Sequence, residues 1–108
     1  MDIKKVQEWY DLKNLVNPKH NTPREEAKHI LEEAGEVLEA VCNREMIWST
    51  QGHKAAQDPI AEEIADLIIT ACVLANRLGI NVPDAIERKT MRNIREGKIT
   101  NLTLEEIK

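Results

Sequence analysis

Apolar residues recur every three or four positions through most of the chain, which is the period of an α-helix with one buried side. The first such segment follows Asp2, a residue type that caps helices, and we expect this helix to run to about Leu15. The second follows Thr22 and Pro23, which together favour a helix start, and covers residues 23–46. Its apolar stripe comprises Ala27, Ile30, Leu31, Ala34, Val37, Leu38 and Val41.

The second half of the chain repeats these start and stop signals. Residues 47–57 contain a glycine and several polar residues, so we expect a loop or a short broken helix there. Asp58 followed by Pro59 predicts the start of a third helix, which ends before Gly79. A fourth helix is predicted over residues 81–96.

The third predicted helix is apolar on nearly all sides. Ile64, Ile68 and Ala71 lie on one side, whereas Ile69 and Val73 lie on the opposite side. A helix of this kind is normally buried all round, yet a chain of 108 residues has little interior. We therefore expect this helix to pack on the second helix with one face and on a partner subunit with the other.

Composition agrees with a single all-α domain over residues 1–108, a bundle of about four helices completed by oligomerisation. Apolar residues make up 42% of the chain and charged residues 31%, which is globular composition. The absence of Phe beside abundant Ala, Leu, Ile and Glu favours helices. The net charge of −4 argues against a nucleic-acid polymer as a partner.

Cysteine usage and hydropathy favour the cytoplasm. Cys42 and Cys72 lie inside helical patterns without the spacing of zinc ligands, which suggests a reducing compartment. Residues 1–10 lack the apolar region of a signal peptide, and the longest apolar run, residues 67–75, is too short to span a membrane. We expect a soluble cytoplasmic protein with no membrane partner.

Two acidic clusters thirty residues apart interrupt the apolar pattern. Glu33 and Glu36 stand three residues apart on the second helix, and Glu63 and Asp66 have the same spacing on the third. Residues three apart share a helix face, so all four carboxylates can converge if the helices pack antiparallel. Such a cluster would repel itself without a cation, and Mg²⁺ prefers oxygen ligands. The pattern predicts a divalent-cation site.

Positive and aromatic residues suggest how a phosphorylated ligand would be held. Lys89 and Asn93 are one turn apart on the fourth helix, with Arg92 nearby, and these residue types suit a polyphosphate and its sugar. A solvated basic face is the alternative interpretation. Trp9 and Trp48 could stack on a nucleobase, although Trp9 also fits a place in the core.

The chain thus carries three motifs in order, Glu33-x-x-Glu36, Glu63-x-x-Asp66 and Lys89-x-x-x-Asn93. From about residue 22 to residue 97 it resembles the MazG-like nucleoside triphosphate pyrophosphohydrolases. The resemblance implies Mg²⁺-dependent hydrolysis between the α- and β-phosphates of a (deoxy)nucleoside triphosphate. The products would be the monophosphate and pyrophosphate.

The resemblance also implies roles for individual residues. Glu33, Glu36, Glu63 and Asp66 would bind Mg²⁺, for which Mn²⁺ could substitute. Lys89 and Asn93 would contact phosphates or sugar, with Arg92 adding positive charge. Either Glu33 or Glu36 could accept the proton of the attacking water, and the sequence does not choose between them.

Three alternatives remain open at this point. A phosphoribosyl-ATP pyrophosphohydrolase would share the fold and chemistry but act on a different nucleotide. A non-catalytic helical module would use the acidic faces to bind a protein. A di-iron carboxylate bundle is suggested by Glu26-x-x-His29, although such sites carry this motif twice and the second copy is absent from the sequence.

Overall fold

The computed structural model describes residues 1–15, 22–51 and 53–107, with side chains described outside 44–58. Within these ranges it contains four α-helices and no strand, which confirms the all-α prediction. The helices are α1 (Ile3–Trp9), α2 (Pro23–Gln51), α3 (His53–Leu78) and α4 (Val82–Arg95). Two 3-10 turns, Leu12–Asn14 and Leu104–Ile107, follow α1 and α4.

Side-chain caps begin the helices where the sequence predicts them. Asp2 Oδ1 accepts a hydrogen bond from the Lys5 N–H at 2.9 Å, and Thr22 Oγ1 accepts one from the Glu25 N–H at 3.1 Å. Gly79 follows α3 with a φ of +68°, a left-handed conformation that glycine adopts at low cost. The predicted starts of α1 and α2 and the predicted end of α3 are confirmed.

Three predicted boundaries are wrong: the end of α1, the end of α2 and the start of α3. α1 ends at Trp9 rather than near Leu15, because Asp11 Oδ1 captures the Lys13 N–H at 3.1 Å and diverts the backbone into a 3-10 turn. Residues 47–51 and 53–57, where a loop or a short broken helix was expected, are helical, since α2 continues to Gln51 and α3 begins at His53. Pro59 therefore lies inside α3, where it cannot donate the usual backbone hydrogen bond.

The helices α2 and α3 form an antiparallel hairpin that is the body of the fold. Arg77 near the end of α3 bonds Glu26 near the start of α2, and Glu63 in the middle of α3 lies opposite Glu33. None of the helices within the described ranges combines the length and the apolar character needed to cross a membrane.

The α1 helix is fastened to the hairpin by amide side chains. Asn76 on α3 donates through Nδ2 to the carbonyl oxygens of Gln7 and Tyr10, both at 3.0 Å. Gln7 in turn donates to the Ile80 carbonyl at 2.6 Å and accepts from the Val82 N–H at 3.0 Å. Since Gln7 bridges to the turn between α3 and α4, it fixes the position of both helices relative to α1.

The apolar core is small. Among the described residues, the buried apolar side chains are those of Cys72, Val73 and Ala75, all in the second half of α3. The radius of gyration is 16.9 Å, whereas a compact chain of this length would have about 13 Å. The hairpin is thus more open than a self-contained domain.

Much of the apolar stripe of α2 is not covered by α3. Leu31 is 75% exposed and Leu38 is 65% exposed, while Glu26 and Glu33, at the border of the stripe, are buried against α3. The helical period places Glu33 at the border of the apolar stripe, and the structure places it inside the contact with α3. Helix periodicity identifies the apolar side of α2 but not what covers it.

Candidate metal centre

Three carboxylates from α2 and α3 meet where the two helices face each other. Glu33, Glu36 and Glu63 each place one carboxylate oxygen within 4.8 Å of the other two. Glu33 and Glu36 lie one turn apart and share a side of α2, and the antiparallel packing brings Glu63 of α3 opposite them. Three of the four predicted metal ligands are thereby brought together.

Two oxygens of this group are buried without a hydrogen-bond donor. Glu33 is only 8% exposed, and neither its Oε2 nor the Oε2 of Glu63 has a donor among the described residues. Burying a carboxylate oxygen without a partner costs free energy. A hard divalent cation such as Mg²⁺ takes oxygen ligands of this kind, so the donor set fits the cation that the sequence predicts.

Burial and repulsion within the group both act on the pKa of Glu63. Burial raises the pKa of Glu63 above its ordinary value of 4.5, a hydrogen bond with Glu36 raises it further, and the negative charges of Glu36, Asp66 and Glu33 add to the effect. A nearby cation would act in the opposite direction, because it favours the ionised form of the carboxylates.

Asp66, the fourth predicted ligand, lies beside the group. Its side chain is exposed, and it is not one of the three carboxylates within 4.8 Å of one another. Its charge nevertheless contributes to the raised pKa of Glu63, so the two are near neighbours on α3. A direct role for Asp66 in holding a cation stays a prediction from the motif.

His29 contacts the group from the preceding turn of α2. Its Nε2 lies 2.7 Å from Oε1 of Glu33, and the two residues are four positions apart on the helix. In the sequence His29 lies one turn before Glu33, on the same border of the apolar stripe, and it is also half of an incomplete di-iron motif. The four-residue spacing to a predicted metal ligand is the signal that marks it, although it belongs to none of the three motifs.

A second buried carboxylate, Glu26, has a different partner. Glu26 is 4% exposed, and its Oε1 accepts a hydrogen bond from Nε of Arg77 at 3.0 Å. This ion pair occupies Glu26, which leaves the di-iron interpretation without the carboxylate of its one motif. The pair was not anticipated, although Arg77 lies fourteen residues from Glu63 and thus on nearly the same side of α3.

The predicted substrate contacts lie on other elements. Lys89, Arg92 and Asn93 are on α4, whose principal packing partners are α1 and the turn Leu104–Ile107. Lys89 and Arg92 are exposed and Asn93 is half-buried. Trp9 on α1 is 55% exposed. Its helical spacing suggested a place in the core, and this exposure contradicts that interpretation. The side chain of Trp48 lies outside the described residues.

The fold and the carboxylate group together define an all-α protein with a candidate divalent-cation site on a helical hairpin. Residues 25–106 match the MazG-like family. The match covers most of the chain, and the protein belongs to this family. It includes α3 and α4 and nearly all of α2, so the candidate site lies within it. No curated protein and no solved structure matches the chain significantly.

Proposed function

We propose that the protein is a Mg²⁺-dependent nucleotide pyrophosphohydrolase that cleaves the bond between the α- and β-phosphates of a (deoxy)nucleoside triphosphate. The observation that carries this proposal is the group formed by Glu33, Glu36 and Glu63, in which two buried oxygens lack a donor. Membership of the MazG-like family supports the reaction class.

In this proposal Glu33, Glu36 and Glu63 hold Mg²⁺, with Asp66 completing the set and Mn²⁺ as a possible substitute. The cation would neutralise phosphate charge and lower the pKa of an attacking water. Glu36 is the better candidate for accepting the proton of that water, because it is exposed, whereas Glu33 is buried with one oxygen bonded to His29. The structure thus supplies a reason for a choice that the motifs leave open.

The substrate would reach the cation from the exposed side of the group, where Glu36 and Asp66 lie. Lys89, Arg92 and Asn93 are proposed to contact the phosphates or the sugar, because two cations and an amide suit a polyphosphate ligand. Trp9 has an exposed indole that could stack on the base, and Trp48 is a second candidate for this role.

We also propose that the active form is a homodimer or homotetramer. At about 100° per residue, Leu31 and Leu38 lie on one side of α2, and Ile64 and Ile68 lie on the matching side of α3. All four are at least 43% exposed, and a large exposed apolar surface usually marks an interface. Glu36 and Asp66 lie on the other side of the hairpin, so association would leave their side open.

Sedimentation tests this assembly. Replacing Leu38 and Ile68 with glutamate should convert the oligomer to monomer, because two charges would then be buried in the contact. Glu39→Gln, an exposed change on the acidic side of α2, should leave the assembly intact. A wild-type protein that sediments as a monomer at all accessible concentrations would rule the proposal out.

A nucleotide panel tests the reaction. The protein is incubated with Mg²⁺ and each nucleoside triphosphate, deoxynucleoside triphosphate and phosphoribosyl-ATP, and the products are analysed for pyrophosphate and orthophosphate. Pyrophosphate with the monophosphate is the expected result, and orthophosphate alone would show that the bond assignment is wrong. Turnover restricted to phosphoribosyl-ATP would favour the histidine-pathway type of enzyme.

Two matched variants connect the reaction to the site. Glu36→Gln and Asp66→Asn should each abolish turnover while the helical circular dichroism signal persists. Glu32→Gln, an exposed change next to Glu33, should retain activity. Full activity in both site variants would exclude the proposed metal site, and inactivity of the wild type without stabilisation by any cation would favour a protein-binding module.

A further inference from the structure

We infer that His29 is a positioning residue that holds Glu33 so that a single carboxylate oxygen, Oε2, faces the candidate cation site. This inference rests on the proposed function. It adds a residue that is in none of the three motifs and assigns a binding mode to Glu33. The observation is the contact between His29 Nε2 and Glu33 Oε1, at 2.7 Å.

The two oxygens of Glu33 are in different environments. Oε1 is bonded to the imidazole, whereas Oε2 is buried and has no donor among the described residues. A free carboxylate can exchange its oxygens by rotating about its terminal bond, so they become distinct only when one is held. The short bond to His29 provides that restraint, since hydrogen bonds to a carboxylate are stronger than neutral ones.

This restraint predicts that Glu33 binds a cation through one oxygen. With Oε1 engaged by His29, the cation is left the buried and donor-free Oε2 of a residue that has one oxygen within 4.8 Å of oxygens of Glu36 and Glu63. The donation requires only a hydrogen on Nε2, which both the Nε2–H tautomer and the imidazolium ion carry. Partners that hydrogen-bond a metal ligand typically change metal affinity about 10- to 100-fold when they are removed.

A helix-stabilising contact without functional effect is the competing explanation. Pairs four residues apart stabilise a helix slightly whatever lies beside them. That role predicts a small loss of stability on replacing His29 and no change in cation affinity. Cation binding measured without nucleotide therefore separates the two explanations.

The experiment uses Mn²⁺ as the probe, with its binding to the full-length protein followed by electron paramagnetic resonance. His29→Ala should weaken Mn²⁺ binding about 10-fold or more. His29→Gln, whose amide reaches the next turn and can donate, should retain most of the affinity, and the shorter His29→Asn should not. Lys28→Ala, an exposed neighbour on the same helix, controls for the substitution and should bind Mn²⁺ as the wild type does.

The outcomes distinguish this inference from the proposed function. If His29→Ala is folded and binds Mn²⁺ within twofold of the wild type, the positioning role is wrong, even if the protein hydrolyses nucleotides. If His29→Ala does not fold, equal affinities of the Gln and Asn variants overturn the inference. If the Mn²⁺ affinities of the wild type and the His29 variants follow the expected order but the wild type hydrolyses no nucleotide, only the proposed reaction is contradicted.

Discussion

Two carboxylates on the same side of α2 are buried against α3, and their partners on α3 are of opposite charge type. Glu26 is 4% exposed and meets Arg77, whereas Glu33 is 8% exposed and meets Glu63. They are seven residues apart, or about two helical turns. Arg77 neutralises the buried charge of Glu26, whereas Glu63 places a second carboxylate beside Glu33.

This difference separates a structural contact from a candidate site. The Arg77–Glu26 pair satisfies its own charges and locks the register of the hairpin near its open end. The group around Glu33 leaves two buried oxygens without donors and raises the pKa of Glu63. Repulsion of this kind is relieved by a raised pKa or by a bound cation, and the proposed Mg²⁺ site lies at this group.

The largest predicted effect is the loss of activity in Glu63→Gln. This change removes the α3 member of the carboxylate group, and loss of a cation worth several kcal/mol of charge stabilisation lowers kcat by about a thousandfold. Pyrophosphate release with Mg²⁺ measures it. Glu62→Gln, the exposed neighbour, is the matched control and should retain activity. Equal activity of the two variants would remove Glu63 from the site.

Arg77→Met should cause the largest loss of stability. It leaves Glu26 buried without its partner, and breaking a buried ion pair in this way costs about 3–5 kcal/mol. Urea denaturation followed by circular dichroism measures the free energy of unfolding. The double variant with Glu26→Gln should recover much of the loss, because the charge that needed Arg77 is gone. No recovery would mean that Arg77 contributes by packing rather than by its charge.

Removing a charge from the carboxylate group should stabilise the protein, which is the opposite of the effect expected for Arg77→Met. In metal-free protein, Glu63→Gln should raise the melting temperature, because it removes repulsion from Glu36 and Glu33. The raised pKa means that folded Glu63 binds its proton more tightly than unfolded Glu63. Its contribution to stability is therefore present below pH 4.5 and is lost as the pH rises from 4.5 through the folded pKa.

Added Mg²⁺ should abolish the difference in melting temperature between Glu63→Gln and the wild type. It should raise the melting temperature of the wild type and have little effect on Glu63→Gln, since the cation and the substitution relieve the same repulsion. Differential scanning fluorimetry at several pH values is sufficient. A variant less stable than the wild type in the absence of metal would contradict this account of the group.

The smallest predicted effect is that of Arg77→Lys. Lysine keeps a positive charge near Glu26 but loses the planar guanidinium that donates from Nε, so the cost should be about 1–2 kcal/mol. The same denaturation experiment measures it. A cost equal to that of Arg77→Met would show that geometry, rather than charge, governs this contact.

Short-range features were predictable because their causes lie within a few residues. Asp2 and Thr22 cap the helices that follow them, and Gly79 ends α3 in a left-handed conformation. The spacing of Glu33 and Glu36 places them on one side of α2 in any α-helix. Errors arose where two local preferences compete, as at Asp11, whose side chain interrupts α1.

The motifs of the chain were sufficient to indicate the MazG-like family, an all-α fold and four carboxylates that could meet, three of which lie together in the structure. Periodicity relates residues within one helix and carries no information on which side of it a second helix covers. Only the packing of α3 on α2 buries Glu33 rather than Leu31 and pairs Glu26 with Arg77. These contacts depend on the register of two antiparallel helices, which is set by all their side chains together and not by any one segment of sequence.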